Sequence, residues 1–355
     1  MSASPPPLPD GSAAPHTLLE LDGVTKQFPV RSSRRLGRRR DMVQAVDGVS
    51  LTVRRGETLG LVGETGCGKS TLARCITRLY DLTAGTVTFG GDDISRLSAR
   101  QLRPFRRKMQ MVFQDPYGSL NPRRRVGSII ADPFAANKIL PGPARKAKVA
   151  QLMEVVGLNP EHYNRFPAEF SGGQRQRIGL ARALALEPEL LICDEPVSAL
   201  DVSIQAQIIN LLADLQGRLG LTYIFIAHDL SVVRHVSDRI AVMYLGRIVE
   251  LAQTEELFRS PRHPYTRALL SAVPSPDPDV VDAEPVIVSG DVPSPVNPPP
   301  GCRFHPRCPQ AQDRCRVDDP QLAAQGGSSG AHFAACHFPL AVAGSPEPTS
   351  REASA

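Results

Sequence analysis

The chain has 355 residues, no tryptophan, 41 lysines and arginines against 36 aspartates and glutamates, and a net charge of +5. That balance does not by itself ask for a nucleic-acid partner, and no apolar run approaches the roughly 18 residues that span a bilayer. The start, MSASPPPLPDGSAAP, lacks the basic segment and apolar core of a secretory signal, so a cytoplasmic chain with mostly reduced cysteines is expected.

Residues 1–16 are rich in Pro, Ser and Ala and are expected to be disordered. Residues 17–260 alternate apolar runs with helical patterns, as α/β domains do. Within them Thr58-Leu59-Gly60-Leu61-Val62 predicts a short buried strand. Gly63-Glu64-Thr65-Gly66-Cys67-Gly68-Lys69-Ser70-Thr71 follows and matches G-x-x-x-x-G-K-[ST]. Leu72, Cys75, Ile76 and Leu79 then fall at i, i+3, i+4 and i+7, which predicts a helix. Strand, glycine loop and helix in this order suit a triphosphate. The glycines let backbone N–H groups close round the phosphates, Lys69 reaches the β- and γ-phosphates, and Ser70 gives an oxygen to Mg²⁺.

A mostly helical insertion is expected between Gln114 and Ser171, where Val149, Leu152, Met153 and Val156 make an apolar stripe and Gly157 a stop. Ser171-Gly172-Gly173-Gln174 then opens a helix carrying Ile178, Ala181, Leu184 and Ala185. Its free N–H groups and positive dipole end suit an anion. A surface helix capped by Ser171 would need no paired glycines, so a second phosphate cradle is the expectation. Glu189 to Pro196 (ELLICDEP) reads as a doubly buried parallel strand ending in two carboxylates. Such a strand aims its C-terminal end at the ligand crevice, where Asp194 would hold Mg²⁺ and Glu195 would polarise the attacking water. Residues 274–300 hold a dense proline cluster, excluding helix and central strand. An irregular cysteine-containing region is expected over 261–340, and a disordered tail over 341–355.

Together these motifs resemble the ATPase subunits of ABC transporters, over roughly Leu18 to Ser260. The resemblance implies a P-loop NTPase (RecA-like) α/β core with an antiparallel β subdomain and an α-helical subdomain. It adds Phe28 as the aromatic against adenine, and Gln114 as the residue that senses Mg²⁺ and contacts the transmembrane subunit. Ser171 to Gln174 match the family signature, Ser198-Ala199-Leu200-Asp201 the loop crossing the dimer interface, and His228 the switch histidine on the γ-phosphate. Two such subunits pack head to tail, so the second cradle would serve the neighbour's ATP. Asp115 to Arg123 (DPYGSLNPR) and Cys193 to Gln207 (CDEPVSALDVSIQAQ) resemble the oligopeptide and dipeptide importers, in particular the F-type subunit. This implies a non-identical D-type ATPase partner, two transmembrane permeases, a periplasmic or lipid-anchored solute-binding protein, and a position on the cytoplasmic face of the cell membrane. Relatives of this pattern carry nickel, glutathione or other solutes, and no residue here contacts cargo. A soluble ABC ATPase would typically carry two ATPase domains or a coiled-coil insertion, which this chain lacks.

Arg31–Arg40 and Arg103–Lys108 read as solvated basic loops, or as rests for anionic lipid headgroups. No aromatic residues interleave them to stack bases, so nucleic acid is not an expected partner. His263 to Leu269 (HPYTRAL), and Cys302, Cys308, Cys315 and Cys336, resemble the C-terminal region of peptide-importer ATPases. Four thiols in loop-like sequence cannot build much core, and a metal would stabilise them. Their x5, x6 and x20 spacings lack the C-x2-C hairpins usual for zinc. A [4Fe–4S] cluster suits them; zinc and unmetallated thiols are the other readings. Cys67, Cys75 and Cys193 read as small apolar core residues.

Overall fold

A computed structural model describes residues 17–30, 41–114, 118–198, 200–272, 290–325 and 332–341. The expected disordered ends apart from Ala341, the Arg31–Arg40 cluster, Asp115–Tyr117, Ala199 and the 274–289 part of the 274–300 proline segment lie outside these residues. β1 (Thr17–Val30) and β2 (Asp41–Arg54) form a long antiparallel ribbon. After β3 (Thr58–Val62) and α1 (Lys69–Ile76), β4 (Ala84–Phe89) and β5 (Asp92–Asp93) complete a four-stranded antiparallel sheet in the order β2-β1-β4-β5.

α2 (Ala99–Lys108) leads into β6 (Met109–Val112). The helical insertion follows as α3 (Val126–Ala136) and α4 (Gly142–Val155), and α5 (Gly172–Leu184) returns the chain to the sheet. β7 (Leu190–Asp194), α6 (Val202–Leu219), β8 (Thr222–Ala227), α7 (Leu230–Val236) and β9 (Arg239–Tyr244) finish the parallel core. β10 (Arg247–Gln253), α8 (Thr254–Arg259), α9 (Pro264–Ser271), α10 (Asp313–Val317), β11 (Ala323–Ala324) and β12 (Phe333–Ala334) complete the chain. The large sheet runs β11-β12-β10-β9-β3-β8-β7-β6. β9, β3, β8, β7 and β6 are mutually parallel; β10, β12 and β11 add antiparallel strands at one edge.

The parallel strands are uninterrupted apolar runs because both faces are covered. Tyr223, Phe225 and Ala227 of β8 join one core with the helical insertion and α6, while Ile224 and Ile226 join another with α1 and the antiparallel sheet. β7 divides likewise, Leu191 and Cys193 to the first core and Leu190 and Ile192 to the second. The apolar stripe of α4 is buried, and Gly157 (φ 72°) ends it. The Leu158 N–H donates to Met153 O and the Gly157 N–H to Glu154 O, satisfying carbonyls the last turn would orphan.

Three local expectations are corrected. α1 stops at Ile76, where the Thr77 hydroxyl caps Ala73 O and Arg78 turns to φ 52°, so Leu79 is not on the helix and is half-exposed. Arg103–Lys108 is the end of helix α2, not a loop. There Arg103 donates to Ala136 O, Arg106 to Arg78 O, and Lys108 pairs with Glu189 at 2.8 Å. Ala185 caps α5 rather than lying within it. The C-terminal region does not stand apart: β12 extends the main sheet at β10, and Tyr265 and Phe304 are buried in its core. Among the described residues no helix is long and apolar enough to cross a membrane.

Candidate nucleotide site

The C-terminal ends of β3, β6, β7 and β8 deliver the glycine loop, Gln114, Asp194-Glu195 and His228 to the same carboxyl end of the parallel sheet. Gly63 (φ 152°) and Gly68 (φ 113°) are wedged: a Cβ on either would come within 2.1 Å of a backbone carbonyl oxygen, of Met243 or of Ala45 respectively. Gly66 (φ 83°) instead faces open space, with Thr65 beside it also exposed. The loop thus has a closed back and an open front. Lys69 is buried, and its Nζ donates to Gly63 O at 2.6 Å and Glu64 O at 3.0 Å, with Cys67 Sγ at 3.8 Å. Ser70 and Thr71 lie half-buried in the first turn of α1.

Ser70 Oγ donates to Asp194 Oδ1 at 2.8 Å. Asp194 is 2% exposed, and burial raises its carboxyl pKa above the usual range despite that bond. A buried carboxylate beside a hydroxyl is a fitting donor set for a hard divalent cation, whose charge would offset the burial. Glu195 adopts φ 47°, a conformation that costs a non-glycine residue free energy. Its N–H donates to Ile226 O at 3.0 Å, which holds the turn against β8. Glu195 Oε2 accepts from Gln114 Nε2 at 2.7 Å and lies 3.5 Å from His228 Nδ1. The three expected catalytic side chains therefore meet at one carboxylate oxygen. Phe28 is half-buried, edge-on to Tyr80 with ring centroids 5.4 Å apart and Lys26 Nζ 4.9 Å above it.

The Ser171-Gln174 segment is a second centre. Ser171 Oγ accepts from the Gln174 N–H at 3.3 Å and Gln174 Oε1 from the Ser171 N–H at 3.0 Å, a reciprocal cap. The paired glycines also have a reason inside this chain, contrary to the expectation that a capped helix has no use for them. A Cβ on Gly173 would meet Ile204 Cγ2 at 2.5 Å, and one on Gly172 would meet Leu200 Cδ2 at 3.2 Å. They let α5 start against Leu200 and the first turn of α6, whose N-cap, Asp201, is exposed with no side-chain capping bond.

A family model described as ABC transporter matches residues 46–198, and one described as oligopeptide/dipeptide transporter, C-terminal region, matches 249–315. The chain is 54% identical over 332 residues to the oligopeptide transport ATP-binding protein AppF of Bacillus subtilis (strain 168), covering 92% of this chain and 99% of that protein. The chain belongs to the ABC transporter ATP-binding protein family. It is also 55% identical over 305 residues to the probable peptide ABC transporter ATP-binding protein y4tS of Sinorhizobium fredii (strain NBRC 101917 / NGR234), covering 86% of each. Among solved structures, the dimeric post-hydrolysis ATP-binding cassette MJ0796 bound to ADP and Pi matches with a TM-score of 0.59 and 28% identity. That match covers 67% of this chain and 99% of the cassette.

In this family member the four C-terminal cysteines, Cys302, Cys308, Cys315 and Cys336, line one small cavity with His263, Phe304 and His305. Burial, reinforced by the neighbouring cysteines, pushes the Cys302 thiol up to about 11 and Cys336 up to about 12, and Cys308 is raised too. Among the described residues no three or more His, Cys, Asp or Glu side chains are arranged to hold a metal ion as they stand. Cys67, Cys75 and Cys193 are buried in the core, as apolar residues would be. Two contacts to the glycine loop are not foreshadowed in the sequence: Tyr265 and Arg307 both bond to Glu64, across 201 and 243 residues. No local pattern marks residues that act at such a distance.

Proposed function

We propose that this chain is the ATP-hydrolysing subunit of an ABC importer for oligopeptides or dipeptides, held peripherally at the cytoplasmic face of the membrane by transmembrane permease subunits. The observation that carries the reading is the meeting of Gln114, Glu195 and His228 beside the Ser70–Asp194 pair. In this proposal the glycine loop and Lys69 bind the phosphates of ATP, and Ser70, Asp194 and Gln114 would hold Mg²⁺, which neutralises phosphate charge. Glu195 polarises the water that attacks the γ-phosphorus, the β–γ bridging bond breaks, and ADP and phosphate leave. His228 faces the γ-phosphate, and Phe28 with Tyr80 forms the aromatic wall for adenine.

Ser171, Gly172, Gly173, Gln174 and Asp201 would complete the nucleotide site of a second, non-identical ATPase subunit, with a solute-binding protein delivering peptide to the permeases. The four C-terminal cysteines are proposed ligands of a [4Fe–4S] cluster, supported by their shared cavity and by the irregular backbone of Cys302, Cys308 and Cys336; Cys315 lies in α10, and the thiols would have to draw together to hold the cluster. Loading would require the thiols to lose their protons. Iron and acid-labile sulfide near four per chain are expected after anaerobic purification; zinc or no metal overturns this assignment.

The function is tested by uptake of a labelled tripeptide in cells lacking this chain. Wild type should restore uptake, while Glu195→Gln should bind ATP and reduce turnover on the order of 10²–10⁴-fold. Rescue by both proteins would remove hydrolysis from this subunit. Rescue by neither, with the complex assembled, would remove peptides as cargo.

A further inference from the structure

We propose that Tyr265 and Arg307 are positioning residues for Lys69, acting through Glu64; this rests on the reading of the glycine loop as the phosphate site. Every polar group of Glu64 is engaged. Its N–H donates to the Tyr265 hydroxyl at 2.9 Å. Its carbonyl accepts from Lys69 Nζ at 3.0 Å. Its carboxylate accepts from Arg307 Nη1 at 2.9 and 3.1 Å. The Gly63–Glu64 peptide, whose Gly63 carbonyl accepts from Lys69 Nζ at 2.6 Å, is therefore clamped at its N–H by Tyr265 of the C-terminal region.

Both clamping residues are themselves held. Tyr265 is 1% exposed, and burial raises its phenol pKa, so the hydroxyl stays protonated. Its ring packs on Tyr244 and Phe304 with centroids 4.7 and 5.4 Å away. Arg307 ends the short turn His305–Arg307, which lies between Cys302 and Cys308. That turn is closed by His305 N–H to Cys302 O and Arg307 N–H to Phe304 O, each at 3.0 Å. Arg307 is buried along most of its side chain. Its burial opposes the charge, but Glu64 and the Tyr244 hydroxyl outweigh that and raise its pKa.

The pairing has an electrostatic purpose as well as a steric one. A glutamate at the second position of a phosphate-binding loop brings negative charge to where a triphosphate must bind. In a poorly screened site like charges repel strongly. Arg307 neutralises that carboxylate and points it at the C-terminal region. Without Arg307 the carboxylate is free to repel ATP or to take Lys69 for itself, and either weakens ATP binding.

The test is ATP turnover by the assembled transporter carrying Arg307→Gln, Tyr265→Phe, Glu64→Gln, or the Glu64→Gln/Arg307→Gln pair. Arg307→Gln is expected to raise KM for ATP about 10-fold with kcat at saturation within about 2-fold, since the Glu64 carboxylate, freed of its charge-assisted partner, would oppose ground-state binding. Tyr265→Phe, which keeps the ring, should raise KM about 3-fold. In the Glu64→Gln background Arg307→Gln should change KM by less than about 2-fold, because no unpaired carboxylate remains. Equal KM effects of Arg307→Gln in both backgrounds would overturn the proposal. So would an unchanged KM in both single variants, or a fall in kcat and melting temperature with KM intact. A wild-type complex that bound no ATP would instead defeat the underlying nucleotide reading, so the two failures are distinguishable.

Discussion

The glycine loop and the C-terminal cysteine segment are both irregular backbone, but they are shaped by opposite means. Residues 58–76 carry their own instructions: a fully buried strand, glycines at positive φ, and a helix that begins at Lys69. The cysteine segment is placed by distant partners. Arg303 is buried and bonds to Asp47, to Gln44 Oε1 at 2.8 Å and to Leu245 O. Arg247 bridges Asp47 and Asp319, the Gln44 N–H donates to Pro295 O at 3.0 Å, and β12 pairs with β10. The first region needs its neighbours to work, the second to have a shape at all.

That contrast makes opposite demands on mutants. The largest expected effect is at the glycine loop. Lys69→Ala should raise KM for ATP on the order of 10- to 100-fold, as loss of about 1.5–3 kcal/mol of charge-assisted bonding implies. Its unfolding free energy should fall by only about 1 kcal/mol in a denaturant titration. Arg303→Met should do the reverse. It removes one of the two arginines on the Asp47 carboxylate, leaving Arg247, and should cost about 1.5–3 kcal/mol of stability, while KM for ATP should rise by less than the roughly 10-fold expected of Arg307→Gln, because Arg307 keeps its own bonds to Glu64. If Arg303→Met altered KM as strongly as Lys69→Ala, the two regions would not be separable in this way.

The motifs most legible in the sequence were those whose chemistry is set by neighbours along the chain. Thr58 to Val62 is the strand expected, and the α4 stripe and Gly157 stop stand where the spacing puts them. The apolar run ending in Asp194-Glu195 is a parallel strand for the reason expected, burial on both faces, and the run ending at His228 is a second such strand. Misreadings arose where packing overrode a local pattern. Leu79 fits a helical period that Arg78 breaks with a left-handed turn. Arg103 to Lys108 resembles a solvated basic loop, yet its side chains cap distant carbonyls and pair with Glu189 from a helix. Gly172 and Gly173 look like pure anion ligands until Leu200 and Ile204 are seen against them.

The sequence alone determined the order strand, glycine loop, helix, the apolar strand that ends in two carboxylates, and the helix that starts at Ser171-Gly172-Gly173-Gln174. Backbone stereochemistry and side-chain period act within a few residues, and so can be read from a few residues. Only the tertiary structure decided that Gln114, Glu195 and His228 meet at one oxygen, that four separated cysteines line one cavity, and that Tyr265 and Arg307 reach back to Glu64. Those contacts depend on which strand ends lie side by side and on how the C-terminal chain crosses the sheet. Their partners are up to 243 residues apart, and a local pattern cannot encode a distance that only the closed fold defines.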